Sequence, residues 1–213
     1  SVFKKNKSND KLLDLQGAGR TDAGVHAIEQ VAHLDCETMV ASHILKIKMN
    51  DELPSDINIL NIEKAGKDFH ARHSAISRQY LFRISKRRTA FEKKYVWWIK
   101  DNLNVDAMKN SSALLTGMHD FSSFSEADKE SKSTKVLLED INVYEEDDLI
   151  MIRIKASHFL WKMVRRIVGT LVEVGRGNLN EANMKYFLEH DSKETAGYTA
   201  PPSGLFLEKI YYK

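Results

Sequence analysis

A chain of 213 residues, 42% hydrophobic and 29% charged with a net charge of +2, can bury a sizeable core, and with one cysteine it must do so without an internal disulfide. Cys36 builds no thiolate zinc site, so the composition suits a reducing compartment and predicts a cytoplasmic protein. No stretch approaches the roughly 18 uncharged apolar residues of a membrane span. Arg153, Lys155 and Lys162 break the richest run, LIMIRIKASHFLWKMV, and a soluble protein with no membrane partner is expected.

The opening SVFKKNKSND has neither an initiator methionine nor an apolar signal core and reads as loop or chain interior. The string LQGAGRTDAGVHAIEQVAHLD then crowds Gly17, Gly19 and Gly24 around Arg20, Thr21, Asp22 and His26. Glycines at that density let the backbone take positive φ or approach another group closely, so something is held near Asp22. The spacing fits neither a dinucleotide fingerprint nor a phosphate-binding P-loop. A structural turn and a catalytic-carboxylate loop both remain open. After the loop NDELPSD and a short strand, the pattern restarts near residues 68–76, which marks a domain boundary.

In RQYLFRI, Tyr80, Phe82 and Ile84 share one face of a strand, and periodicity alone would assign Tyr80 to packing. A helix is predicted from about Val105 to Leu115, stopped by Gly117. KVLLEDINVY and DLIMIRIKA form a hairpin around EEDD, with Ile150, Ile152 and Ile154 on one face. The clearest helix runs from Phe159 to Val172, with Ser157 as a possible N-cap and Gly175 as its stop; Lys162, Arg165, Arg166 and Gly169 take the face opposite its apolar stripe. A shorter helix follows an Asn180 cap, and GLFLEKIYY is the last strand. Hairpins among helices favour an α+β fold over a doubly wound parallel sheet.

The small net charge hides an uneven distribution. Residues 78–100 carry eight basic groups against Glu92 alone, a balance of +7, while Glu126 to Asp148 has a balance of −6. A basic stretch that also holds Tyr80, Phe82, Tyr95, Trp97 and Trp98 has the composition that binds a phosphate backbone and stacks bases. A solvated strand and hairpin is the equal alternative. The pattern is consistent with an RNA-facing side and a separate solvent-facing one. His70 and His73 form an HxxH pair without a nearby third ligand, so no metal site is expected.

GRTDAGVHA resembles the signature of the tRNA pseudouridine synthase A, or TruA, family, and four further segments resemble that family in order: DFHARHSAISRQYLFRI, GMHDFSSF, SHFLWKMVRRIVGTLVEVGRG and TAPPSGLFL. The family's usual opening, similar to YDGTxFxGWQ, has no counterpart before Leu12, so an incomplete N-terminal domain is expected. The resemblance implies two RRM-like, ferredoxin-like α+β domains joined across a cleft, an N-terminal catalytic one over residues 1–69 and a second over 75–213. It implies isomerisation of uridine to pseudouridine on the 3′ side of the tRNA anticodon stem-loop (tRNA positions 38, 39 and 40), by a homodimer without cofactor. Asp22 would be the catalytic aspartate, Arg165 its partner with Arg166 as the rival candidate, and Tyr80 the residue stacked on the target uracil. Arg20 would intrude into the RNA; Arg72, Arg78, Lys162 and Arg166 would meet phosphates, and His119 would line the cleft wall. A catalytically silent tRNA-binding module on the same fold is the alternative.

Overall fold

The computed structural model describes residues 11–127 and 133–213. The opening decapeptide, and Asp128 and Glu130 of the acidic stretch, lie outside the described residues. In chain order the elements are β1 (Lys11–Gly17), β2 (His26–Ala27), β3 (Ala32–Glu37), α1 (Ser42–Glu52), β4 (Ala75–Ser85), β5 (Trp97–Trp98), α2 (Val105–Ala113), β6 (Gly117–Asp120), β7 (Lys135–Glu146), β8 (Leu149–Ala156), α3 (Met163–Gly175), α4 (Glu181–Glu189) and β9 (Leu205–Tyr212). Two compact units result: residues up to Gly19 with Val31–Ser74, and Arg20–Gln30 with Ala75–Lys213.

In the first unit β1 and β3 pair antiparallel, with a bulge between Leu12 and Asp14, and α1 follows. The segment NDELPSD is loop only from Leu53, because Asn50, Asp51 and Glu52 complete α1. The short strand expected after it does not form. Asn50 instead takes both backbone groups of Ile59, Nδ2 donating to its carbonyl at 3.1 Å and Oδ1 accepting its N–H at 2.7 Å, so a side chain replaces the ladder partner.

The second unit is a βαββαβ arrangement, β4-α2-β7-β8-α3-β9, with the antiparallel order β9-β4-β8-β7 of a ferredoxin-like sheet. Strands β2 and β6 extend its two edges, and β5 pairs with the end of β4. Tyr80, Phe82 and Ile84 lie opposite Ile154, Ile152 and Ile150. All but the partly buried Tyr80 are essentially inaccessible, and Met108 of α2 and Met163, Ile167 and Leu171 of α3 cover them. Each such aliphatic side chain stabilises the fold by roughly 1.5–3 kcal/mol. The EEDD hairpin forms as expected, with Asp147 in the left-handed region at φ 52° and Glu146 opposite Leu149. Asn180 caps α4 in a reciprocal capping box.

Helix α3 departs from its periodicity in two ways. It begins at Met163, not near Phe159, because Lys162 is left-handed (φ 60°) and the Trp161 carbonyl, which a helix would give to residue 165, accepts Glu126 N–H at 3.0 Å. Its expected polar face is also covered. Arg166 and Gly169 are buried, and a Cβ at 169 would stand 1.5 Å from the Tyr198 carbonyl oxygen, so the strap formed by residues 198–200 lies directly on the helix backbone.

Candidate active site

Gly24 stands at φ 81°, and a Cβ there would sit 3.1 Å from Pro202 Cγ, so the chain turns tightly after Asp22 only because position 24 lacks a side chain. The Asp22 carbonyl accepts Val25 N–H at 3.0 Å. β2 then runs parallel to β9, with His26 beside Phe206. The turn is thereby pinned to the last strand, and its carboxylate meets the start of α3.

There Arg165 Nη1 donates to Asp22 Oδ2 at 3.2 Å and Trp161 Nε1 donates to Oδ1 at 3.3 Å. Arg165 is itself fixed by the strap: its Nε donates to the Ala200 carbonyl at 2.7 Å and its carbonyl accepts Ala200 N–H at 3.0 Å. The Arg165 side chain is 15% exposed and that of Asp22 36%. The cation is largely withdrawn from water and needs its anion, while the anion stays reachable from outside. Each carboxylate oxygen accepts one of these hydrogen bonds and keeps lone-pair capacity for a reactant.

Tyr80 projects from the core face of β4 and packs edge-to-face on Phe159, ring centroids 4.9 Å apart. Burial pushes its phenol above the ordinary value; Arg78 opposes this and the Asp22 carboxylate adds to it. Tyr80 is therefore a neutral O–H at physiological pH, inside the electrostatic field of Asp22.

A family profile described as tRNA pseudouridine synthase matches residues 112–213. The tRNA pseudouridine synthase A of Bartonella tribocorum is 41% identical over 205 residues, covering 94% of this chain and 83% of the relative. This chain belongs to the tRNA pseudouridine synthase family. The tRNA pseudouridine synthase A 2 of Bacillus cereus is 37% identical over 95% of this chain and 83% of the relative. The tRNA pseudouridine synthase A of a Thermoanaerobacter species is 39% identical over 97% and 85%.

The remaining candidates in this family member are scattered. Arg20 is exposed at the start of the Asp22 turn. Arg78 is partly buried and donates through Nη1 to the carbonyls of Ala75 and Ser157 at 3.4 and 3.2 Å. Arg72 is exposed in the turn that closes the first unit. His119 sits on β6, the opposite edge strand from β2, with Nε2 at 3.0 Å from the Thr116 carbonyl. Lys162 pairs with Glu126 at 2.5 Å, and that ammonium holds the Glu126 carboxyl below the usual carboxylate range. Arg166, expected at RNA phosphates, is buried, and its Nη1 donates to the Ser123 and Ser125 carbonyls. Its task in this structure is to fix the chain before Glu126.

The two charged stretches also do not segregate. Lys86 pairs with Glu145 at 3.0 Å and Arg87 with Asp148 at 2.9 Å, so the acidic hairpin turn neutralises part of the basic segment. Trp161 is the site residue without a role in the sequence reading; its available signal is a spacing of four from Arg165. In the first unit, Asp14, His33 and Asp35 bring possible ligand atoms within 4.8 Å of one another. His33 Nδ1 accepts Ala71 N–H at 3.1 Å, which leaves the ring proton on Nε2, 3.6 Å from Asp14 Oδ2. With Nδ1 accepting and Nε2 protonated, that ring has no lone pair to offer a metal. A cavity of about 800 Å³ lined by Asn104, Gly175 and Asn180 lies at the end of α3 away from Arg165.

Proposed function

We propose that this enzyme isomerises uridine to pseudouridine in tRNA, with Asp22 as the carboxylate that acts on the ribose. Membership of the family makes it an isomerase, and the names of its relatives support tRNA as the substrate. The observation that carries the reading is the Asp22 carboxylate, ionically held by Arg165 yet still accessible, with Tyr80 within its field.

The reaction breaks the N1–C1′ bond, turns the uracil and joins C5 to C1′. In the nucleophilic version an Asp22 oxygen bonds to C1′ while uracil leaves with the N1–C1′ electron pair. The turned uracil then attacks C1′ through C5, the carboxylate departs, and the C5 proton passes to a base. In the alternative version Asp22 removes a ribose hydrogen as general base. Both require an ionised, aimed carboxylate, and the Arg165 and Trp161 hydrogen bonds supply the aim. Both also require the uridine to leave its stack, a task suited to exposed Arg20, with Tyr80 as the surface that holds the released base.

The same reading places the targets on the 3′ side of the anticodon stem-loop, the enzyme in the cytoplasm, and a homodimer on each tRNA. It divides the chain into domains over 1–69 and 75–213, apart from the Asp22 turn at Arg20–Gln30, which groups with the second, and it turns Arg72 and Arg78 toward RNA. The test is incubation with unmodified tRNA carrying C5-tritiated uridine, followed by mapping of pseudouridine. Tritium release with product confined to that stem-loop supports the reading. A folded protein that binds tRNA and releases no tritium overturns it.

A further inference from the structure

Between β4 and α2 the chain makes a loop over residues 86–96 and the short strand β5. Two contacts tie this loop to the elements that carry Asp22. His26 Nε2 lies 2.8 Å from the Lys94 carbonyl, and its ring sits between Tyr95 and Phe206 at 4.9 and 5.0 Å. Ser203 Oγ donates to the Val96 carbonyl at 3.3 Å, next to the Pro202 that backs Gly24. The loop is therefore anchored beside the candidate active site.

Its outer surface is unusual for a loop. Phe91 is 97% exposed, Tyr95 44% and Trp98 42%, and the Arg88 guanidinium lies over the Trp98 ring at 5.6 Å. Lys93, Lys94 and Lys100 make no ion pair among the described residues, although Arg83, Lys86 and Arg87 do. Glu92, the single acid between residues 86 and 100, is engaged with Arg83 at 3.6 Å. Ion pairing thus engages Arg83, Lys86 and Arg87 and leaves Lys93, Lys94 and Lys100 interleaved with aromatic faces. An apolar protein partner would have to desolvate those ammonium groups to reach the rings. A paired helix would offer phosphates but no base faces. Unpaired nucleotides offer both: each base has a π-face and each phosphate a charge.

We propose that Phe91, Tyr95 and Trp98, with Arg88, Lys93 and Lys94, form a base-stacking platform for unpaired nucleotides of the RNA that enters the Asp22 site. This deepens the proposed function and rests on its RNA substrate. The His26 contacts make the platform continuous with the catalytic turn, so nucleotides flanking the target are fixed while the target uridine leaves its stack.

The experiment measures affinity of the full chain for an unmodified tRNA transcript over a series of salt concentrations, with single-turnover tritium release in parallel. Phe91→Ala combined with Trp98→Ala is expected to weaken binding by about 5- to 150-fold, the range of one stacked base, with an unchanged salt slope. Lys93→Gln with Lys94→Gln is expected to reduce the slope of log K against log salt by about 1.4 to 1.8. Phe91→Trp alone should retain affinity, which a change in folding would not explain. Unchanged affinity in the aromatic double variant, with the wild type active, overturns the platform and leaves the proposed function standing. Loss of a sedimenting oligomer in Phe91→Ala, at unchanged RNA affinity per chain, also overturns it and assigns the rings to a second copy. A wild type that releases no tritium overturns the underlying reading instead.

Discussion

Gly169→Ala perturbs the site without touching it. A methyl group at 169 would stand 1.5 Å from the Tyr198 oxygen, 2.6 Å from its carbon and 3.2 Å from Ala200 N. Restoring an ordinary carbon–oxygen contact of about 3.3 Å requires the strap to retreat by roughly 1.8 Å. The strap's Ala200 carbonyl holds Arg165 Nε at 2.7 Å, and a retreat of that size breaks the bond. Overpacking costs about 1–3 kcal/mol and the lost charged hydrogen bond about 1.5–3 kcal/mol. Better helix propensity returns about 1 kcal/mol, so a net destabilisation of about 1.5–5 kcal/mol is expected in urea unfolding. Arg165 then aims Asp22 less well, and displacement of about 1 Å in such a pair can lower the rate on the order of 100-fold. Single-turnover tritium release should fall by about 10- to 100-fold, with a smaller change in tRNA affinity. Gly197→Ala is the control, because no atom lies within 4 Å of its added methyl. If Gly169→Ala matches Gly197→Ala in both stability and rate, the strap does not position Arg165.

Arg165→Lys should retain the charge but reach only one of the two acceptors, Asp22 or Ala200, and lower the tritium-release rate by about 100-fold; a rate within threefold of wild type contradicts the pairing. The Glu208 carboxyl feels burial, which would raise its pKa, but two hydrogen bonds from Arg153 at 2.8 Å and one from Gln79 at 2.8 Å hold it below the usual value. A depressed carboxyl stabilises the fold above its unfolded pKa, and that share is lost as pH falls through the folded value. Urea unfolding of the wild type should therefore weaken below about pH 4.5, and Glu208→Gln should flatten that limb while lowering stability at pH 7 by about 1 kcal/mol. An acid limb unchanged by Glu208→Gln excludes this carboxyl as its source.

The strands of the second unit were legible because their two-residue alternation, as in Tyr80, Phe82 and Ile84, is set by one buried face. The start of α3 was not, because its apolar spacing continues back to Phe159 while a distant backbone group, Glu126 N–H, takes the carbonyl that would extend the helix. Gly24 could be read as a special turn, since left-handed backbone favours glycine. The reason for Gly169 could not, because the atom it accommodates is 29 residues along the chain. Arg166 looked like a surface cation from its place on the helical wheel, yet the chain around Ser123 and Ser125 folds over it. The separation of basic and acidic faces failed for the same reason: spacing along the chain does not reveal that Lys86 and Arg87 sit beside the β7–β8 turn. Asp22 and Arg165, 143 residues apart, met as the family resemblance implied.

In the proposed reaction the Asp22 carboxylate performs the chemistry. Single-turnover tritium release by Asp22→Asn, compared with wild type at saturating tRNA, tests it directly, with thermal unfolding and tRNA affinity measured on the same samples. A folded variant with near-normal tRNA affinity and a rate lowered on the order of 10⁴-fold is expected. A folded, tRNA-saturated Asp22→Asn that releases tritium within tenfold of the wild-type rate contradicts it.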